Sequence, residues 1–403
     1  MLTKRYLYCL IPLSFIFLQC KPSQSVLDKV MSSSNPSIKR VRQQLKKHEV
    51  QIVLTEINTE QPTAPQLLRS SFQLDEEHYF YPASTAKLPI AALTLQKLNE
   101  LNTQGIPIKP TTAFEIRDLQ GKAIQLTDTT QREGKLTLAH LIKKIFLVSD
   151  NEAYNYLFDF LGRDYINQEL EKKGLKKTQI FHKFLFGADN IRTWEYTFFD
   201  EFGDTLYQQN SLKSKFNAEN KLSGVFKGEG FLQDGEVVKA PMDFRFKNRI
   251  SLLDLEGILM RLIYPQLFTI DQQFTLNDKD LEFLRFWMSR STLESSSPNY
   301  DDGDHWDSYG KFFIYGDQKE KMTDQIRIYN KVGYAYGTLT DVAYIHDKLN
   351  NLSFFLTATI LVNENKIFND DQYEFDSIGI PFLATLGRLV LRELQHKQES
   401  VVE

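Results

Sequence analysis

Ser84 and Lys87 stand three residues apart where Tyr81-Pro-Ala-Ser-Thr-Ala-Lys-Leu-Pro-Ile-Ala-Ala-Leu93 passes into an apolar run. A hydroxyl with an amine one helical turn away is the material of nucleophilic catalysis, because a neutral amine can take the proton as the oxygen attacks. The same spacing also suits a helix cap followed by a surface lysine. The residues that follow favour the chemistry. Leu88, Ile90 and Ala91 begin a helix of buried character, so Lys87 is held from bulk water and its pKa falls. Ser308-Tyr-Gly-Lys311 repeats the spacing, but it follows a polar loop and leads into the strand-like run Phe312 to Tyr315, with no helix to present it. It reads as a coincidence of composition.

Two further segments carry polar groups in suggestive order. Ser149-Asp150-Asn151 is a turn and helix-start sequence in its own right. Asn330-Lys331-Val332-Gly333-Tyr334 ends one strand candidate before another begins, and alone it reads as a hairpin.

Taken in order, the three segments resemble the penicillin-recognising serine hydrolases, most closely the class A β-lactamases, whose signature is Ser-x-x-Lys, Ser-Asp-Asn and Lys-Thr-Gly. The likeness extends to Leu136-Thr-Leu before Ser149, to Ala153 through Gly162 after it, and to Gly337, Asp341 and Ala343 after Lys331. It covers most of residues 50 to 395 and leaves 176 to 246 unmatched. The resemblance implies Ser84 as nucleophile forming an acyl-enzyme and Lys87 as general base. It implies Ser149 as proton relay to the leaving nitrogen, Asn151 as binder of the substrate amide, and Lys331 as the charge that keeps Lys87 neutral and attracts a carboxylate. The backbone N–H groups of Ser84 and Tyr334 would form the oxyanion hole, and Gly333 would let the strand approach the ligand. The substrate implied is a β-lactam or a peptidoglycan stem peptide. The alternatives are a D,D-carboxypeptidase or penicillin-binding protein with slow deacylation, and a catalytically poor cell-wall-binding lipoprotein that uses 176 to 246 as its contact surface.

The pattern departs from that family twice. Val332 stands where Thr or Ser is usual, so a hydroxyl that would hold a substrate carboxylate is missing. The glutamate that activates deacylating water has no match in its usual Glu-x-x-Leu-Asn setting; Glu195, in Arg192-Thr-Trp-Glu195, is the nearest candidate.

The elements that must position these groups follow from periodicity. Gln51 to Ile57 and Ser70 to Tyr81 read as a strand pair, Ser84 to Leu101 as a buried helix, and Leu136 to Gly174 as a compact helical region. Residues 176 to 246 read as a β-rich insertion punctuated by glycine turns. Helices are expected at Ser251 to Ile263, Asp278 to Ser289 and Ile380 to Leu394, and strands at Gln325 to Val332, Gly337 to His346 and Leu352 to Leu361. Strands at both ends with helices between predict an α/β (α+β) fold of the β-lactamase/transpeptidase type: one mixed antiparallel sheet, an all-helical subdomain over about 102–175, and the insertion.

The chain has 403 residues, 42% of them hydrophobic and 13% aromatic, enough for a large core. Its net charge of −4 provides no field to gather nucleic acid. Seven scattered histidines and no Gly-rich phosphate loop leave no metal or cofactor expected. Lys4-Arg5 before the apolar Tyr6 to Leu18 reads as an export signal over 1–19. Phe17-Leu18-Gln19-Cys20 resembles a lipobox, with Gln19 in place of the usual small residue. Cys20 is the expected lipidation site, residues 20–47 the tether, and 48–397 the hydrolase domain. The expected location is the cell envelope or periplasm, on a membrane surface. The two cysteines, Cys9 and Cys20, leave none for a disulfide in the mature chain.

Overall fold

The computed structural model describes residues 24–58, 65–124, 128, 130, 136–185, 187–300 and 303–402. Cys20, the signal segment and the first residues of the tether lie outside them. Five strands form the central antiparallel sheet: β1 (Gln51–Asn58), β2 (Gln66–Phe72), β3 (Ile326–Ala335), β4 (Thr338–Asp347) and β5 (Leu352–Leu361). Their order is β3-β4-β5-β1-β2, so distant ends of the chain complete one sheet and β3 forms an edge. β4 pairs with β3 so that Thr340 faces Gly333 and Leu339 faces Tyr334.

Both faces of the sheet are covered. In β5, Phe355 enters the core shared with the helical lobe, and its neighbours Phe354 and Leu356 enter the core beneath the terminal helices. This two-sided burial explains why Leu352 to Leu361 reads as a nearly continuous apolar run instead of an alternating one.

The outer layer is α1 (Val26–Met31), α2 (Pro36–Arg42) and the C-terminal helix Ile380–Val402. Residues 25–42 therefore belong to the folded body, which corrects the expected tether. Val26, Leu27, Val30 and Met31, then Ile38 and Val41, form short apolar stripes that are buried against the terminal-helix core. The polar residues taken for linker composition act as caps: Ser25 forms a capping box with Asp28, and Asn35 accepts from the Ser37 N–H at 3.0 Å.

The inner lobe contains α3 (Lys87–Thr103), α4 (Leu138–Val148), α5 (Asn151–Leu161), α6 (Arg163–Lys172), α7 (Leu252–Ile263) and α8 (Asp278–Ser289). α3 runs through the centre of this lobe with apolar residues buried all round it, as its sequence predicts. Residues 176–246 carry short strands. Two of them, Glu195–Phe199 and Thr205–Gln209, join Phe114–Arg117 and Ala123–Ile124 in a four-stranded antiparallel sheet.

The region over about 102–175 is not all-helical as expected, since Phe114–Arg117 and Ala123–Ile124 are strands paired antiparallel. Two further local expectations fail. The strand expected over Ser70 to Tyr81 stops at Phe72, with Gln73 in a left-handed conformation and Gln51 Oε1 accepting from Asp75 N at 2.9 Å. Phe312–Tyr315 is a single irregular helical turn, not a strand. Ile314 has φ +71°, its carbonyl accepts from Arg388 of the C-terminal helix at 2.6 Å, and Phe313 N donates to Asp341 Oδ2 at 3.2 Å.

Candidate active site

The chain enters α3 through a 3₁₀ turn, Ala83–Ala86, after Ala83 in the left-handed region at φ +46°. Ser84 lies in this turn, and no side chain caps the turn or α3. The capping alternative for Ser84 therefore falls. The turn is pressed against edge strand β3. A Cβ built on Gly333 would lie 2.6 Å from the Pro82 carbonyl and 2.8 Å from the amide nitrogens of Ser84 and Thr85, so only glycine permits the approach. The close contact brings the backbone of Gly333 and Tyr334 beside Ser84.

Ser149, Asp150 and Asn151 combine structural and polar roles. Ser149 closes α4 in a left-handed conformation, φ +56°, and Asp150 caps α5 by accepting from Ala153 N at 2.7 Å. This junction projects Ser149 and Asn151 toward Lys87. Lys87 Nζ donates to the Ser149 carbonyl, to Asn151 Oδ1 at 2.6 Å and to Ser149 Oγ at 3.3 Å. Lys331 Nζ donates to the same hydroxyl, 2.8 Å from Ser149 Oγ, and also to the Val332 carbonyl at 2.7 Å. Two lysines thus converge on one serine hydroxyl.

Both amines are buried. Burial holds Lys87 well below the usual lysine range; the charge of Lys331 adds to the effect and Asp150 opposes it. Burial brings Lys331 down to about 7, with Asp341 opposing and Lys311 adding to the shift. A neutral amine has two N–H bonds for its nearest acceptors and one lone pair. At Lys87 the carbonyl of Ser149 and the amide of Asn151 can use the donors, leaving the lone pair to accept a hydroxyl proton.

Behind Lys331 lies a buried polar chain. Lys311 Nζ donates to the carbonyls of Met288 (2.7 Å) and Ile328 (3.1 Å) and to Asn330 Oδ1 (2.8 Å); Asn330 Nδ2 donates to Asp341 Oδ1 at 2.9 Å. Burial lowers Lys311 to about 7 and raises Asp341 to about 6. The repeated Ser-x-x-Lys is therefore part of the surroundings of the site. Ser308 lines the cleft and donates to the Gln318 carbonyl, and Lys311 supports the strand that carries Lys331.

Ser84, Ser149, Asn151, Lys331, Val332 and Tyr334 line one cleft of about 900 Å³. Val332 also packs into the terminal-helix core with Phe312 and Leu339, so an apolar side chain fills the position where a hydroxyl was missed. Glu195 is not in this group: it begins a strand opposite Arg117 and does not line the cleft. Phe184, which the sequence reading overlooked, lies over Lys87. Its ring centroid is 5.1 Å from Nζ and 4.5 Å from the Tyr154 ring, and its backbone N–H is held by Asn155 Oδ1 at 2.7 Å. The charged groups acting on Lys87 are Lys331 and Asp150, with no glutamate among them. No group of three or more His, Cys, Asp or Glu side chains among the described residues is arranged to hold a metal ion.

The sheet, the helical lobe and the serine–lysine cleft at their junction define a protein of β-lactamase fold. The β-lactamase enzyme family matches residues 36–218. A mutant of PBP-A, in acyl-enzyme complex with penicillin G, aligns with a TM-score of 0.51 at 13% identity, covering 93% of this chain and 98% of that one. A β-lactamase from Xanthomonas campestris aligns at 0.50 and 14%, covering 91% and 98%. A search of curated proteins gave no match. The family match spans somewhat less than half of the chain, and over nearly its whole length the chain shares the β-lactamase fold of these structures.

Proposed function

We propose that the protein is a serine hydrolase that acts through an acyl-enzyme on a β-lactam or a cell-wall peptide amide, and that its acyl-enzyme is long-lived. The observation that carries the first part is the convergence of Lys87 and Lys331 on Ser149 Oγ in the cleft that Ser84 also lines. In acylation Ser84 Oγ bonds to the substrate carbonyl carbon and its proton passes to Lys87 Nζ. The carbonyl oxygen is held by the N–H groups of Ser84 and Tyr334. The C–N bond then breaks as Ser149 Oγ delivers a proton to the leaving nitrogen and is reprotonated from the lysines. Asn151, whose Oδ1 is taken by Lys87, offers its Nδ2 to the substrate amide.

The second part rests on Phe184. Deacylation needs a base near a water at the acyl carbonyl, and the ring over Lys87 supplies neither charge nor an acceptor. This favours a penicillin-binding or D,D-peptidase behaviour over rapid β-lactam hydrolysis. A fluorescent penicillin, followed by adduct mass with Ser84→Ala as control, tests both parts. A persistent Ser84 adduct is expected; rapid turnover refutes the long lifetime, and no adduct at any concentration refutes the acyl-enzyme. Gly333→Ala is expected to slow adduct formation by about 100-fold, since the new methyl must push β3 away from the Ser84 amide. A near-native rate would show that the contact yields without consequence.

Export and anchoring through Cys20 complete the proposal, supported by the apolar Tyr6 to Leu18 and the cysteine directly after that segment. Detergent partitioning of wild type and Cys20→Ala tests it, and equal partitioning rejects lipidation.

A further inference from the structure

The cleft continues past Ser84 and Tyr334 to the segment that precedes the C-terminal helix, and there its chemistry differs from that of a carboxylate pocket. Asp371, Tyr373, Phe375 and Asp376 line it. The rings form a connected shelf: Phe375 is 5.5 Å from Tyr334 and 5.3 Å from Tyr373, centroid to centroid. Half of the Tyr334 surface is open, at 49% exposure.

This segment is held in place from several sides. The Tyr373 hydroxyl accepts from Asn369 N at 2.7 Å, the Ile378 N–H donates to the Glu374 carbonyl at 3.0 Å, and the turn at Gly337 packs so closely that an added Cβ would lie 3.0 Å from the Tyr373 ring.

Arg40 donates to the Ser377 carbonyl at 3.2 Å just outside the cleft, but the charges lining this end are one-sided. Lys331 is the only lysine or arginine among the described residues lining the cleft, and it is buried and committed to Ser149 Oγ and the Val332 carbonyl. Val332 presents methyl groups. Asp371 and Asp376 are both exposed, and neither has an ion-pair partner among the described residues. A ligand carboxylate entering here would leave water for two like charges and apolar rings. A protonated amine would meet two carboxylates and the faces of three aromatic rings, which attract cations.

We propose that this end of the cleft is a cation-reading subsite, in which Asp371, Asp376, Tyr334, Tyr373 and Phe375 receive a protonated amine on the leaving portion of the substrate. The natural substrate is then an amide whose leaving half carries an amine and is blocked or extended at its carboxyl group, as in an internal cell-wall peptide bond, and not one that ends in a free carboxylate. The leaving half belongs at this end because Ser149, which would serve the leaving nitrogen, accepts from Lys331, and Val332 and Tyr334 follow Lys331 on β3. This assignment rests on the acyl-enzyme reading above.

The test uses three reagents with one reacting ring and different charges: penicillin G, its carboxamide and its 2-aminoethyl amide. Acylation of Ser84 is followed by mass, and binding to Ser84→Ala by calorimetry. The expected order is aminoethyl amide, then carboxamide, then free acid, with about tenfold or more between the extremes. Added salt should shrink that span, and Asp371→Asn/Asp376→Asn should abolish it. Equal rates in the wild type, or an order unchanged in the double variant, would overturn the subsite. If no reagent acylates Ser84 while Ser84→Ala still binds them in that order, the subsite stands and the acyl-enzyme reading falls. Absence of the order in Ser84→Ala overturns the subsite whatever the chemistry does.

Discussion

Lys87→Met is expected to slow acylation of Ser84 by about 10³- to 10⁴-fold, the upper range for loss of a positioned general base, while stabilising the fold at neutral pH. The two effects have one cause. Lys87 lies among Leu88, Ile90 and the rest of the inner core, and burial holds its amine well below the lysine range. A depressed lysine pKa means that the unfolded chain binds the proton more readily than the folded one, so the folded state carries a penalty. That penalty is full below the folded pKa, fades as pH rises through the interval, and is gone near the unfolded value of about 10.4. Methionine has nearly the same length, fills the space and removes the penalty. Thermal unfolding should therefore show the variant above wild type at pH 7, with the gap closing toward pH 10. The acylation rate of wild type should rise with pH through the depressed pKa as the amine becomes neutral, and that rise should be absent in the variant. A variant that acylates within tenfold of wild type, or one destabilised at pH 7, would remove Lys87 from the role of base.

How much of this site could be read from the sequence depends on the kind of contact involved. Ser84, Lys87, Ser149 and Lys331 were singled out by the resemblance, which orders three short segments that read singly as a cap, a turn and a hairpin; the structure brings Lys87, Ser149 and Lys331 into hydrogen-bonding contact. Gly333 came with them from the resemblance, and the physical reason for a glycine there is the close approach of β3 to the Ser84 turn. Phe184 was not visible. It reaches Lys87 from an irregular segment anchored by the Asn155 amide to its backbone N–H, an interaction that leaves no mark on residue type. Lys311 was set aside because the segment after it looked like a strand, yet burial of its amine on the carbonyls of Met288 and Ile328 depends on α8 and β3, far away in sequence. The helices α1 and α2 were missed for a third reason. Stripes of two to four apolar residues in α1 and α2 are too short for periodicity to stand out, and their depth is set by the C-terminal helix on which they pack.

Phe184→Glu is expected to shorten the lifetime of the acyl-enzyme by about 100-fold, the lower end of what one positioned general base contributes. The substitution alters the side chain and leaves its mounting intact, because Asn155 Oδ1 holds the backbone N–H at 2.7 Å whatever residue follows the Cα. A carboxylate there would face Lys87, where the aromatic centroid is now 5.1 Å from Nζ, and would turn an apolar wall into a proton acceptor for water. Loss of the ring contact with Tyr154 would cost about 0.5–1.5 kcal/mol, small enough for the protein to remain folded. Time-resolved mass spectrometry of the penicillin adduct gives the lifetime directly, and Phe184→Gln separates charge from size. Glutamine admits water to the same place but accepts no proton at neutral pH, so its adduct should persist nearly as long as that of wild type. If glutamine shortens the lifetime as much as glutamate, the ring acts by excluding water, and general-base catalysis is not what the site lacks. If neither substitution shortens it, slow deacylation has another origin, and Phe184 is only a packing residue over the lysine.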